Sequence, residues 1–169
     1  MDREPLDSGR IYTVAQRISA LTTGPTEVLS LIASSQSKVE LLKLELAQTS
    51  TLPVVSMIAE LFRHSSLSTG GSTAGGALVP VNIRGHAAAP ASTSVVIAAS
   101  TVPHSTAAAA RFFADTFAMD SGKFAWSPPF PETVDVNQRF HARITSLTTL
   151  GLGGLTASLT FRETGRVPG

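Results

Sequence analysis

The chain has 169 residues, a net charge of +1 and no cysteine, with 43% apolar and only 15% charged residues, against roughly 25% charged in an ordinary soluble protein. The length suits one domain with a sizeable core, and the lack of cysteine excludes disulfides and thiolate metal sites. Ten arginines and three lysines are scattered rather than clustered, which excludes nucleic acid and anionic lipid as main partners, because both require concentrated positive charge.

Residues 1–9 read as an arm, polar and broken by Pro5 and Gly9, and too short of apolar side chains to bury much alone. They contain no apolar signal region, and no stretch of the chain approaches the ~20 apolar residues of a membrane helix. The expectation is therefore a protein made and assembled in a reducing cytoplasm, neither secreted by a signal peptide nor embedded in a membrane. From Arg10 to Ala20, Tyr12, Val14 and Ile18 share one face, the alternation of a half-buried strand.

Thr22-Thr23-Gly24-Pro25 is a turn signal, and the chain resumes with a second strand over residues 26–33. Residues 39–48 suit strand or helix; the short distance between turn-rich flanks favours strand, with Leu42, Leu44 and Leu46 in alternation. Residues 54–64 pose the same question, and the run Val55, Met57, Ala59 and Leu61 again favours strand. Residues 65–77 are a Gly-Ser-Thr loop. Residues 78–84 and 94–99 read as further strands, with Pro80 and Pro90 confining the first to an edge or to irregular ends.

Residues 107–119 look helical by their alanines, but Arg111 to Phe117 also alternates well enough for a strand. Residues 140–150 and 155–163 flank Gly151-Leu152-Gly153-Gly154, which predicts a closing β-hairpin. Short strands at this spacing imply an all-β fold, an antiparallel β-sandwich or jelly roll. The expected organisation is an N-terminal arm (1–9), a single β-sandwich domain (10–163) and a C-terminal tail (164–169).

Chemistry is sparse in this pattern. His64, His86, His104 and His141 stand singly, without metal-ligand spacing. Glu40 and Glu45, like Asp115 and Asp120, are five apart and are expected on opposite faces of a strand. Neither glycine-rich run is a nucleotide loop: Gly70 to Gly76 lacks the Gly-Lys-Ser/Thr ending, and Gly122-Lys123 is followed by Phe124. No Gly-x-Ser-x-Gly elbow occurs. The expectation is no enzyme, no cofactor and no metal. A cross-strand triad of His141, Asp135 and a serine stays open, since spatial triads leave no sequence pattern.

Residues 122–136 stand out, with the only Trp and with prolines at 128, 129 and 131. The prolines impose an extended backbone with few donors, which crosses a surface and cannot be a central strand. Trp126 and Phe130 bring aromatic area to that crossing, either as anchors for a partner or, for Trp126, as a lid over the end of its own sandwich.

The Tyr-Thr-Val opening at Tyr12 to Val14, the Gly-rich middle loop and the Trp-x-Pro-x-x-Pro-Glu-like segment at Trp126 to Glu132 resemble small proteins from the head-gene regions of tailed bacteriophages, some of which look like capsid decoration, or cement, proteins. The resemblance implies a jelly-roll or β-sandwich protomer that forms a homotrimer and sits on the capsid surface where several major capsid proteins meet. The interface candidates are then Arg3, Leu6 and Arg10 on the arm, Tyr12 on the first strand, and Trp126, Phe130 and Glu132 on the crossing. A trimeric recognition module of a tail fibre or spike, binding a glycan or protein receptor, is the alternative. The low charge agrees with either, because a weakly charged surface is suited to being covered by protein.

Overall fold

The structure, a computed structural model, describes residues 10–18, 24–35, 37–48, 56–64, 77–83, 95–97, 109–118, 123–146 and 155–166. The arm with Arg3 and Leu6, the 65–76 loop, His86, His104 and Asp120 lie outside the described residues. The described residues form twelve strands and no helix: β1 (Ile11–Ile18), β2 (Pro25–Ile32), β3 (Ser37–Gln48), β4 (Ser56–His64), β5 (Ala77–Leu78), β6 (Val81–Asn82), β7 (Val95–Ile97), β8 (Ala109–Ala118), β9 (Lys123–Trp126), β10 (Glu132–Val134), β11 (Arg139–Ser146) and β12 (Leu155–Arg166). All pairings are antiparallel.

The first sheet runs β6-β1-β12-β3, with β9 and β10 sharing the far edge of β3; the second runs β5-β7-β2-β11-β4-β8. Among the longer strands, successive ones alternate between sheets, β1 to β2 to β3 to β4 and then β8 to β9/β10 to β11 to β12. Two layers whose longer strands, with β9/β10 counted as one, make four positions each and are wound in this way form a jelly roll. The winding overturns the expected closing hairpin. β11 pairs with β2 and β4, whereas β12 lies between β1 and β3. The glycines between β11 and β12 therefore join opposite layers. Gly24, just before β2, has φ 105°, a conformation that favours glycine; a Cβ there would meet nothing within 4 Å, so backbone angle and not space selects the residue.

The core lies between the layers, filled by the inward faces of the long strands: Tyr12, Val14 and Ile18 on β1, Met57, Ala59 and Leu61 on β4, Leu155, Leu159 and Phe161 on β12. Four register shifts interrupt the alternation; one falls at Gly165 near the end of β12, and three are bulges on β3, β2 and β8. On β3, Lys43 faces Thr160 and Leu41 faces Phe161, leaving Leu42 as the extra residue. On β2 the extra residue is Val28, and on β8 it is Phe112. Each bulge shifts parity, so Leu41 and Leu44 both point inward, Val28 and Leu29 are buried together, and Phe112 and Phe113 both reach the core. The β3 bulge also puts Glu40 and Glu45 on the same outward face, each paired to a cation, and not on opposite faces as their spacing suggested. Polar groups tie the layers together as well. The Gln16 amide donates to the Val28 carbonyl at the β2 bulge, and Arg63 Nη1 on β4 donates to Glu132 Oε1 on β10 at 2.8 Å and to the Thr133 carbonyl at 3.2 Å.

Candidate functional site

Two places depart from a plain sandwich, one an exposed edge and one a buried seam. The edge is the proline-rich crossing. β9 pairs with β3 through Trp126↔Leu44, and β10 pairs with the same strand through Glu132↔Leu41. Between them, residues 127–131 loop away from β3 opposite its Leu42 bulge, and Ser127 Oγ donates to the Leu42 carbonyl at 3.2 Å. The bulge interrupts the ladder at the place where the prolines cannot donate to it. Both ends of the short loop are thus fastened to one strand, and Phe130 at its tip is 82% exposed.

The other aromatic of the segment has a different fate. Trp126 faces Leu44 on the core side and is only 7% exposed. Its ring lies 6.0 Å from Phe112 and 6.1 Å from Phe113, while Phe124 packs on Phe113 and Phe117. Trp126 therefore packs into its own sandwich, with little of its area left open. Tyr12 is likewise buried, against Phe161 with centroids 5.6 Å apart. Glu132 is held by Arg63, and Arg10 contributes its carbonyl to the Glu163 amide at 3.1 Å. Of the described candidates, Phe130 alone presents a large apolar side chain outward. A further exposed stripe, Val79, Val81 and Ile83, runs along the β6 edge.

The seam lies on the outward face of the second sheet, where alternation predicts solvated residues. On β11, Phe140, Ala142 and Ile144 point into the core, so Arg139, His141 and Arg143 point out. Register sets His141 opposite Ser30 on β2 and Phe62 on β4, Arg139 opposite His64, and Arg143 opposite Glu27 and Glu60. Glu27, Ser30, Glu60, Phe62, His64, Arg139 and His141 are all buried. His64 Nε2 and His141 Nδ1 share a hydrogen bond of 2.8 Å. The Phe62 ring stacks on His141 with centroids 4.8 Å apart, and the Arg143 guanidinium lies 4.7 Å over the other ring of that stack, Phe62.

Glu60 anchors the cations. Its Oε2 accepts from Arg143 Nη2 at 2.6 Å and Nε at 3.0 Å, and its Oε1 from Arg111 Nη1 at 2.9 Å. Burial pushes the Glu60 carboxyl pKa up, but the two arginine hydrogen bonds outweigh it and hold the pKa below its ordinary value. Burial pulls the Arg139 pKa down, with the charge of Glu27 opposing. Arg139 Nε and Ser30 Oγ have no hydrogen-bond partner among the described residues.

His64 and His141 stand singly in the sequence, and β11–β4 pairing brings them together. A signal was present in the alternation of β11, which puts Arg139, His141 and Arg143 on one face, but their partners on β2 and β4 are set by register alone. His141 and Asp135 do not form the relay that a triad needs. His141 Nδ1 is bonded to His64, and the Asp135 carboxylate pairs with Lys38 at 2.8 Å. Among the described residues no three His, Asp or Glu side chains group to hold a metal ion.

No family model matches the chain, and no curated protein matches it by sequence. Among solved structures it is similar to a chain of the infectious bursal disease virus Gx strain, with 13% identity over 98% of this chain and 43% of that one and a TM-score of 0.23. It is also similar to a mutant VP2 protein of infectious bursal disease virus in derived T=1 particles, with 14% identity over 99% of this chain and 43% of that one and the same TM-score, 0.23. The chain spans less than half the length of these solved chains. Superpositions this loose carry nothing about role.

Proposed function

We propose that the protein is a structural virion protein that binds the outside of a tailed-phage capsid as a homotrimer and stabilises the shell by bridging neighbouring major capsid proteins. The setting comes from the resemblance in sequence. The jelly-roll winding agrees with it, since viral shells and lectin domains both use that architecture, and fold alone does not assign function. The observation that carries the reading is Phe130, a large apolar side chain 82% exposed on a loop stiffened by three prolines and fastened at both ends to β3. A knob already held in place loses little entropy on docking, and an aromatic ring fits the centre of a protein interface. A catalytic reading has less support, because His141 and Asp135 are committed to His64 and Lys38.

The test is light scattering on the purified protein followed by sedimentation with purified capsids. A trimeric mass and co-sedimentation are expected, with Phe130→Ser weakening capsid binding at least tenfold while shifting the unfolding midpoint by less than about 0.5 kcal/mol in equivalent stability. A monomer that stays in the supernatant with capsids refutes the reading. Capsid binding that survives Phe130→Ser removes the ring from it.

A further inference from the structure

We propose that His64 and His141 form a proton-operated latch across the outward face of the second sheet, closed near neutral pH and forced open by acid. The two rings, on β4 and β11, are 1% and 0% exposed and are joined by one hydrogen bond of 2.8 Å between Nε2 and Nδ1. Such a bond needs one nitrogen with a proton and one without. The pair therefore accommodates at most one added proton, whereas two imidazoliums would set N–H against N–H at bonding distance and break it.

Charged groups crowd the pair from every side of the sheet. Every strand packed beside the pair contributes: Glu27 from β2, Glu60 from β4, Arg111 from β8, and Arg139 and Arg143 from β11. Glu60 is occupied by Arg111 and Arg143, and Glu27 stands against the charge of Arg139. Arg143 approaches His141 through the intervening Phe62 ring, and Arg139 follows it on the same face of β11. Glu60 is thus engaged by arginines, and a second imidazolium on the pair would be one more cation in a site shielded from water.

The sign of the pH effect follows. In the unfolded chain each imidazole takes a proton below about pH 6.5, and the folded pair withholds at least one of the two. The unfolded state then binds more protons, so stability is full above about pH 6.5 and falls as the pH drops. One withheld proton raises the unfolding constant about tenfold in all between about pH 7.5 and pH 5.5, with the slope approaching tenfold per pH unit only well below pH 6.5. The bond spans β4 and β11, so its loss loosens the seam while the core between the layers remains, and it uncovers Phe62.

Urea unfolding of the full chain between about pH 7.5 and pH 5.5 tests this, comparing the wild type with His64→Gln/His141→Gln and with His86→Gln/His104→Gln. The expected result is a rise in the unfolding constant of at least about tenfold across that range in the wild type and in the His86/His104 variant, and its loss in the His64/His141 variant. The same rise in all three overturns the latch. Should the His64/His141 variant fail to fold, imidazole nitrogen NMR of the folded wild type near pH 5.5 decides the matter. At least one neutral ring on the closed pair supports the latch, and two imidazoliums with the Phe62 ring still packed on His141 refute it.

Discussion

The outward faces of the two sheets carry much the same kinds of charged side chain and use them in opposite ways. On the first sheet, Lys43 and Lys123 share Glu45, Arg162 reaches Glu40, and Lys38 reaches Asp135, with the cations well open to water and Glu40 and Glu45 about a quarter exposed. Thr156, Ser158 and Thr160 fill the row between them. The lysine hydrogen bonds, from Lys123 first and Lys43 second, draw the Glu45 pKa down, but solvent screens such pairs and leaves each worth little. On the second sheet the Glu60 and Arg143 side chains are 9% and 18% exposed, and histidines and a phenylalanine take the place of threonines. Coulomb attraction is stronger there, and so is the penalty for leaving one partner alone. The contrast teaches that an ion pair's worth is set by what surrounds it and not by its length, since the 2.6 Å Lys123–Glu45 pair matches the 2.6 Å Arg143–Glu60 pair.

The contrast can be broken most readily at Phe62. If the outward face of the second sheet is buried as firmly as the core, Phe62→Ala costs about 3–5 kcal/mol in urea unfolding, as a core phenylalanine does; a cost below about 1 kcal/mol would make that face an ordinary surface. Next comes Glu60→Gln, which strands Arg143 and is expected to cost about 3 kcal/mol, against about 0–1 kcal/mol for Glu40→Gln on the open face. Equal costs would erase the distinction between the faces.

Acid sharpens the same comparison. The Glu60 pKa lies below its unfolded value of 4.5, so its contribution is present above that pH and is lost as the pH falls through the lower folded value. Glu60→Gln should therefore flatten the acid limb of the stability curve below 4.5, measured by thermal unfolding. The smallest effect is expected at Lys43→Ala, within about 0.5 kcal/mol and fading further in added salt.

Much of the layer structure was legible. Tyr12, Val14 and Ile18 form the inward face of β1, and Met57, Ala59 and Leu61 that of β4, as period-two alternation requires. Residues 109–118, open between helix and strand by their alanines, are β8, because pairing with β4 sets Phe113 and Phe117 toward the core. The prolines at 128, 129 and 131 excluded a central strand for their segment, and it lies along the outer side of β3. The division of labour between Trp126 and Phe130 was not legible, since both are aromatic and only the Trp126↔Leu44 register decides which one turns inward.

What the sequence determined by itself is local: where strands form, where they stop, and that every second residue of most of them is apolar. Those properties follow from neighbouring residues and the two-residue repeat of an extended backbone. The tertiary structure alone decided which strands pair, so that Gly151 to Gly154 joins two layers where a hairpin was expected, and where the bulges fall, so that Glu40 and Glu45 share a face. It also decided that His64 meets His141 across a separation of 77 residues. Such contacts depend on register between strands distant in the chain, and a shift of one residue would turn every one of those side chains to the opposite face.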